Sequence, residues 1–373
     1  MTANGRGPAP WRRRDEKDIG GCAISGILSE EGRRFNGKAI LESIATMRER
    51  SNGLGGGFAA YGIYPEQADR FALHLMFDRP AARDAVERVL PEYVRVPHEE
   101  TIPTRPVRGI SSPPLLHRYF VEVRTEILGE DEREEDAIVR LVMHINSAME
   151  GAYVFSSGRN MGIFKGVGYP EEIGRFFRLD EYEGYLWLAH GRFPTNTPGW
   201  WGGAHPFGLL DWAVVHNGEI SSYGVNRRYL ENFGYRCTLR TDTEVIAYLF
   251  DLLLRKQRLP LQDACRVLAP PFWSQIERLP PAERQRLRTL RIVYGGALLN
   301  GPFSVLVGHG GGMIGLNDRT KLRPMSFARK DATVYVASEE AAIRRVCPSP
   351  DEVGLARGGV PVLGPRPREV SLA

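Results

Sequence analysis

Short apolar runs bounded by glycine and proline recur along this chain, and few long helical patterns separate them. The first is Gly20-Gly21-Cys22-Ala23-Ile24-Ser25-Gly26-Ile27-Leu28, where the texture changes abruptly to that of a buried strand opened by Cys22. Phe58 to Tyr64, Met161 to Gly166, Tyr185 to His190, Trp212 to His216, Gly295 to Val307, Gly312 to Asp318 and Ala332 to Ala337 have the same character. Helices are expected over Lys38 to Arg50, with Ile40, Leu41, Ile44 and Met47 on one face, and over Val225 to Phe233 and Thr243 to Lys256. A doubly wound parallel sheet needs a helix after nearly every strand. This order lacks that alternation, so an α+β sandwich is the expected class.

Between Phe71 and Ser157 the pattern differs. Strand (71 to 77), helix (80 to 90), short strand (93 to 96), Pro-rich loop, strand (116 to 124), helix (134 to 148) and strand (151 to 157) follow one another. That βαββαβ order is ferredoxin-like and reads as an insertion over about 71–157 in a main domain spanning 22–353. Met1 to Gly21 holds Trp11 and the basic cluster Arg12 to Arg14 without periodicity, and reads as a leader. Residues 354–373, rich in Pro and Gly, read as a flexible tail.

Composition excludes several functions. The 49 basic and 45 acidic residues leave a net charge of +4, and no five-residue block of one sign offers an arm for nucleic acid. No apolar stretch approaches the roughly 18 to 20 residues that span a bilayer, and the first twenty residues lack an apolar signal core. A cytoplasmic protein binding neither nucleic acid nor membrane is expected. Cys22, Cys237, Cys265 and Cys347 form no C-x-x-C pair and suit neither a disulfide framework nor a zinc site, which leaves a cysteine for chemistry.

Three segments could carry that chemistry. In His190-Gly191-Arg192-Phe193-Pro194-Thr195, Arg192 leaves a strand end for a loop. Its guanidinium can hold a carboxylate through two parallel hydrogen bonds, with a third from Thr195, or it can make an ordinary surface ion pair. Trp212 to Ile220 contains His216-Asn217-Gly218, either a tight hairpin turn or an oxyanion hole built from the Asn217 amide and the Gly218 N–H. Thr241-Asp242-Thr243-Glu244 has the spacing of a capping box. Asp242 then serves the helix dipole or binds a substrate ammonium group. His190, His205 and His216 stand apart with no acidic ligand at helical spacing and read as core or loop histidines, so no metal is expected. Gly308 to Gly312 lacks the residues of a phosphate loop and reads as a turn.

Taken in order, Cys22, His-Gly-Arg-Phe-Pro-Thr-Asn-Thr, Ala204-His205-Pro206-Phe207, His-Asn-Gly-Glu-Ile, Thr-Asp-Thr-Glu, Asp318-Arg319-Thr320-Lys321-Leu322-Arg323-Pro324 and Ala337-Ser338-Glu339 resemble the class II glutamine amidotransferases. Outside the insertion the likeness covers most of residues 22 to 346, and it is greatest to the glutaminase part of glutamate synthase, especially its separate-subunit form. The resemblance implies an N-terminal-nucleophile hydrolase with a four-layer αββα fold and a leader removed to expose Cys22 as nucleophile. It also implies Arg192 and Thr195 as a grip on the glutamine carboxylate, Asn217 and Gly218 as the oxyanion hole, and Asp242 as the amino-group ligand. Ala23 replaces a usual Gly, and Thr320-Lys321 replaces a usual Asn-Gly. Arg50-Ser51-Asn52-Gly53-Leu54-Gly55-Gly56-Gly57 also departs from the family's compact Arg-Gly-x-Asp-Ser-Ala-Gly, so Arg50 is not carried over.

The chemistry agrees with such a site. A side-chain amide is a poor electrophile with a poor leaving group, and its cleavage calls for a strong nucleophile, a nearby base and oxyanion stabilisation. A cysteine at a free N-terminus brings its own base, since an α-amino group has a pKa of about 7.7 to 8.0. After Glu340 only about thirty residues remain, too few for an acceptor domain, and the insertion carries no cofactor motif. A glutaminase without a cofactor of its own is expected, delivering ammonia to a separate, flavin-containing synthase subunit. The alternatives are a free-standing hydrolase of another amide and a non-catalytic assembly or regulatory subunit.

Overall fold

The computed structural model describes residues 21–193 and 199–365. Two antiparallel sheets form its centre. The first has seven strands in the order Glu352–Leu355, Ser326–Lys330, Thr333–Ala337, Ala23–Ser29, Leu186–Gly191, Gly56–Tyr61 and Met161–Gly166. The second has five, in the order Phe207–Leu209, Trp212–Gly218, Phe303–His309, Gly312–Asn317 and Val362–Pro365. The sheets pack face to face so tightly that a Cβ on Gly26 would stand 2.6 Å from Met313 Sδ and 3.3 Å from a Leu306 methyl. Period two sorts the side chains. Ala213, Val215, Leu306 and Met313 join the layer shared with the first sheet, while Val214, Val305, Val307 and Ile314 face the helices behind the second.

Lys38–Ala45, Pro170–Phe176 and Glu340–Val346 cover the outer face of the first sheet, and Tyr223–Glu231 and Asp242–Phe250 pack behind the second. This is the expected α+β, four-layer αββα sandwich of an N-terminal-nucleophile hydrolase.

The insertion is ferredoxin-like. Its strands run antiparallel in the order Val94–Thr101, Leu115–Val123, Phe71–Phe77, Ala152–Ser156, with helices Pro80–Tyr93 and Glu134–Ala148. Along Phe71–Phe77, the residues Phe71, Leu73, Leu75 and Phe77 face those helices, whereas Ala72 and Met76 face the main body. This strand is therefore buried on both sides, and His74 reaches across, its Nδ1 donating to Ile163 O and its Nε2 hydrogen-bonded to Tyr64 Oη, both at 2.9 Å.

Several sequence expectations need correction. The strand expected at 93–96 runs Val94–Thr101; it is an edge strand, largely exposed, whose Pro97, His98, Glu99 and Glu100 hide any alternation. The tail expected to be flexible from 354 supplies edge strands to both sheets, Glu352–Leu355 and Val362–Pro365. Backbone pairing needs no apolar pattern, and Gly364 lets the second strand lie against Leu28 and Val334. Gly295 to Val307 is a strand only from Phe303, since Pro302 has no N–H to give a ladder. Helices Leu261–Leu268, Trp273–Ile276 and Pro281–Val293 occupy a stretch in which the sequence suggested no element.

Candidate active site

Asn217 and Gly218 end the strand Trp212–Gly218, and the next strand of that sheet begins at Phe303, so the Asn-Gly pair is no hairpin. Its backbone pairs with Ser304 and Phe303. Gly218 has φ 151°, and a Cβ there would collide with the Pro302 carbonyl and stand 2.9 Å from His216 Nε2. Only glycine fits. Gly218→Ala is expected to cost about 1–3 kcal/mol in denaturant unfolding by strain and overpacking, together with most of the activity; unchanged stability would show that the strand end yields freely.

Cys22 stands immediately before the strand Ala23–Ser29. The Phe193 N–H donates to its Sγ at 3.4 Å, and Arg50 Nε donates to its carbonyl at 3.4 Å. Arg50 is itself held by Glu339, Nη1 to Oε1 3.0 Å. Ser338 fixes the start of the strand, accepting from the Ile24 N–H at 3.1 Å and donating its own N–H to Ile24 O at 2.9 Å. A side chain at Gly21 would come within 3.3 Å of Arg50 Nη2 and 3.7 Å of both Arg323 Nη1 and Asn217 Oδ1. The Gly21–Cys22 peptide therefore lies among Arg50, Arg323 and Asn217.

Asn217 is fully buried, and neither Oδ1 nor Nδ2 has a hydrogen-bond partner among the described residues. Such an orphaned amide costs about 1–3 kcal/mol of desolvation and is tolerated where a ligand completes it. Burial pushes the Cys22 thiol up, against the pull of the Phe193 N–H, Arg192 and Arg323. The resting thiol is thus protonated at neutral pH. It needs a base to become a nucleophile.

Arg192, nearly buried, follows the strand Leu186–Gly191. Its backbone is clamped: its N–H donates to Gly55 O at 2.9 Å, while its carbonyl accepts from Asn52 N–H at 3.3 Å and from Ser51 Oγ at 3.2 Å. The guanidinium lies within electrostatic reach of both Cys22 and Asp242. Thr195 lies outside the described residues. Asp242 opens the helix Asp242–Phe250; its Oδ2 accepts from the Ile220 N–H at 3.1 Å, and Oδ1 meets Thr243 Oγ1 at 3.3 Å and His216 Nδ1 at 3.4 Å. Burial would raise this carboxyl, but the His216 ring, the Ile220 N–H and the Thr243 hydroxyl outweigh it and hold the group below the usual carboxylate range. Asp242 is ionised. The expected capping box forms by half: Thr241 Oγ1 accepts from Thr243 N–H at 3.3 Å, but Glu244 reaches back to the Thr238 and Leu239 N–H groups at 3.1 and 2.9 Å.

The three histidines meet although they are far apart in sequence. The His190 and His205 rings meet tilted, centroids 4.1 Å apart, His190 Nε2 donates to His216 O at 2.9 Å, and Thr243 Oγ1 lies 3.3 and 3.2 Å from His205 and His216. Burial drives His190 down to about 3 and His205 well below its ordinary value, so both are neutral at physiological pH. Among the described residues no group of three or more His, Cys, Asp or Glu has the arrangement of a metal site.

Sequence reasoning assigned no role to Arg323, Ser338 and Glu339 within their motifs, did not carry Arg50 over, and missed Lys165. Lys165 is fully buried in the strand Met161–Gly166, donates to Gly202 O at 3.0 Å and is pushed down by burial to about 7. A lone lysine inside an apolar strand was the signal available for it.

The chain is similar to several known proteins. A protein of Archaeoglobus fulgidus described only as uncharacterized is 50% identical over 364 residues, 96% of each chain. A putative glutamine amidotransferase of Methanothermobacter thermautotrophicus is 24% identical over 346 residues, covering 91% of this chain and 99% of that one. Among solved structures, the glutamine phosphoribosylpyrophosphate amidotransferase of B. subtilis superposes with TM-score 0.46 at 15% identity, over 92% of this chain and 47% of that one. The profile of the family described as glutamine amidotransferases class-II matches residues 90–350, well over half of the sequence. The chain belongs to the class II glutamine amidotransferases.

Proposed function

We propose that the protein is the glutaminase component of a multi-subunit, glutamate-synthase-like amidotransferase. It hydrolyses L-glutamine to L-glutamate through a Cys22 thioester and passes ammonia to an acceptor site on a separate, flavin-containing subunit. Removal of the leader 1–21 frees the α-amino group of Cys22. That amine takes the thiol proton as sulfur attacks the side-chain amide carbon, and it returns a proton to the departing nitrogen as the C–N bond breaks. Water, deprotonated by the same amine, then cleaves the γ-glutamyl thioester and restores the thiol. Asn217 Nδ2 and the Gly218 N–H donate to the oxyanion. Arg192 with Thr195 grips the substrate carboxylate, and Asp242 holds its ammonium group. Arg50, through the Cys22 carbonyl, holds the nucleophile in place.

The observation that carries this reading is the pair of amide atoms of Asn217, fully buried, without a partner among the described residues and beside Gly21, the residue before Cys22. The glutamate-synthase assignment is supported by the segments Arg-Phe-Pro-Thr-Asn-Thr and His-Asn-Gly-Glu-Ile. The test is glutamate release from glutamine labelled with ¹⁵N in its amide, with and without a flavin-containing synthase subunit. Faster release with the partner, and ¹⁵N in the partner's product, is expected. Cleavage of other amides with glutamine untouched would instead mark a free-standing hydrolase of different specificity. Arg192→Lys is expected to raise the glutamine KM at least tenfold, because an ammonium cannot copy a two-pronged guanidinium grip. An unchanged KM in steady-state assays would make Arg192 structural.

A further inference from the structure

The ferredoxin-like insertion touches the part of the chain that shapes the Arg192 site. Trp200 and Trp201, eight and nine residues after Arg192, point into different cores. Trp201 packs on Phe176, centroids 5.8 Å apart, and lies so close to Gly166 that a Cβ there would strike its ring. Trp200 meets Tyr153 edge-on, centroids 5.4 Å apart at 69°. Tyr153 belongs to the insertion's strand Ala152–Ser156. The Trp200 ring folds back over Gly202 and Gly203, where any side chain would collide with it, and Lys165 Nζ holds the Gly202 carbonyl at 3.0 Å. The turn then leads to Ala204, and Gly55 lies between it and Arg192: a Cβ on Gly55 would be 3.1 Å from Arg192 Cδ and 3.4 Å from Ala204 Cβ, and the Gly55 carbonyl accepts the Arg192 N–H at 2.9 Å. Tyr153, Trp200, the 202–204 backbone, Gly55 and Arg192 form one packed chain.

We infer that the insertion sets the affinity for glutamine: Tyr153 is a positioning residue that, through the edge contact with Trp200, fixes the turn 199–204 and so the packing of Ala204 against Gly55, which holds Arg192. The inference rests on the proposed role of Arg192 as the carboxylate grip. Tyr153 touches none of the reacting groups, so loosening it should weaken ground-state binding and leave the chemical step alone. Packed neighbours with one shared contact are also expected to couple non-additively.

The test is steady-state glutaminase kinetics on the processed full chain. Tyr153→Ala is expected to raise the glutamine KM by about fivefold or more with kcat within about twofold. Tyr153→Phe, which keeps the ring edge, should restore the wild-type KM. Trp200→Ala should raise KM similarly, and the Tyr153→Ala/Trp200→Ala pair should raise it by less than the product of the single effects. Leu115→Ala, at an exposed end of another strand of the insertion, should leave KM unchanged. An unchanged KM in Tyr153→Ala, or an equal rise in Leu115→Ala, would overturn the inference. If Tyr153→Ala does not fold, Tyr153→Leu keeps the apolar volume without the ring edge and is read in the same way. A wild-type chain that does not hydrolyse glutamine defeats the functional reading instead, which separates the two failures.

Discussion

Cys22→Ala is expected to remove glutamine hydrolysis, with kcat falling by on the order of 10⁴ to 10⁶, as when the nucleophile of other covalent enzymes is deleted. The fold should survive. The substitution removes a single sulfur at the half-buried start of a strand, while Ile24, Ile27 and Leu28, which anchor that strand between its neighbours, are untouched. Circular dichroism and thermal unfolding close to wild type, together with glutamate release at the limit of detection, are the expected results. Retention of more than about a tenth of kcat would remove Cys22 from the mechanism. Cys237, Cys265 and Cys347 lie in other parts of the fold, and burial raises Cys237 and Cys265 above the ordinary thiol range, so neither offers a ready substitute thiolate.

Asn217→Asp should lower kcat by on the order of 10² to 10³, about 2.7 to 4 kcal/mol, with a much smaller change in KM. The two side chains have almost the same shape. One offers an N–H donor to an oxygen that gains negative charge, whereas the other offers a carboxylate that repels it. Because the penalty grows as charge develops, it belongs to the transition state and not to substrate binding. Asn217 ends a strand whose partner, Phe303–His309, comes more than eighty residues later, so no tight turn depends on this side chain. A folded, processed variant with near-wild-type kcat would take Asn217 out of the oxyanion hole and leave Gly218 and other donors to fill the role.

Much of this was readable from the sequence where side chains face a dry layer. The strands at Ala23, Met161, Leu186 and Trp212 announced themselves because both of their faces are buried, and Glu134–Ala148 because eight of its fifteen residues are buried. What escaped was held by backbone or by distant partners. Val362–Pro365 joins a sheet through its peptide groups, which leave no trace in a Pro- and Gly-rich stretch. Arg50 was set aside because its neighbours did not match the family's pattern, yet its side chain reaches the Cys22 carbonyl and Glu339. The contact depends on the residue at 50 and on the sheet, not on the residues that follow it. The Asn-Gly pair at 217 and 218 shows the opposite limit: its local grammar is that of a hairpin, and only the long excursion to Phe303 shows that the strand simply ends there.

The proposed mechanism makes the α-amino group of Cys22 the catalytic base. An amide nitrogen cannot do that work, because its lone pair is delocalised into the carbonyl. Intact-protein mass spectrometry on material of measured specific glutaminase activity tests this most directly. Fractions should gain activity in proportion to the share of chains that begin at Cys22, with the mass of Met1 to Gly21 missing. Full activity in chains that still carry Met1 to Gly21 would contradict the mechanism.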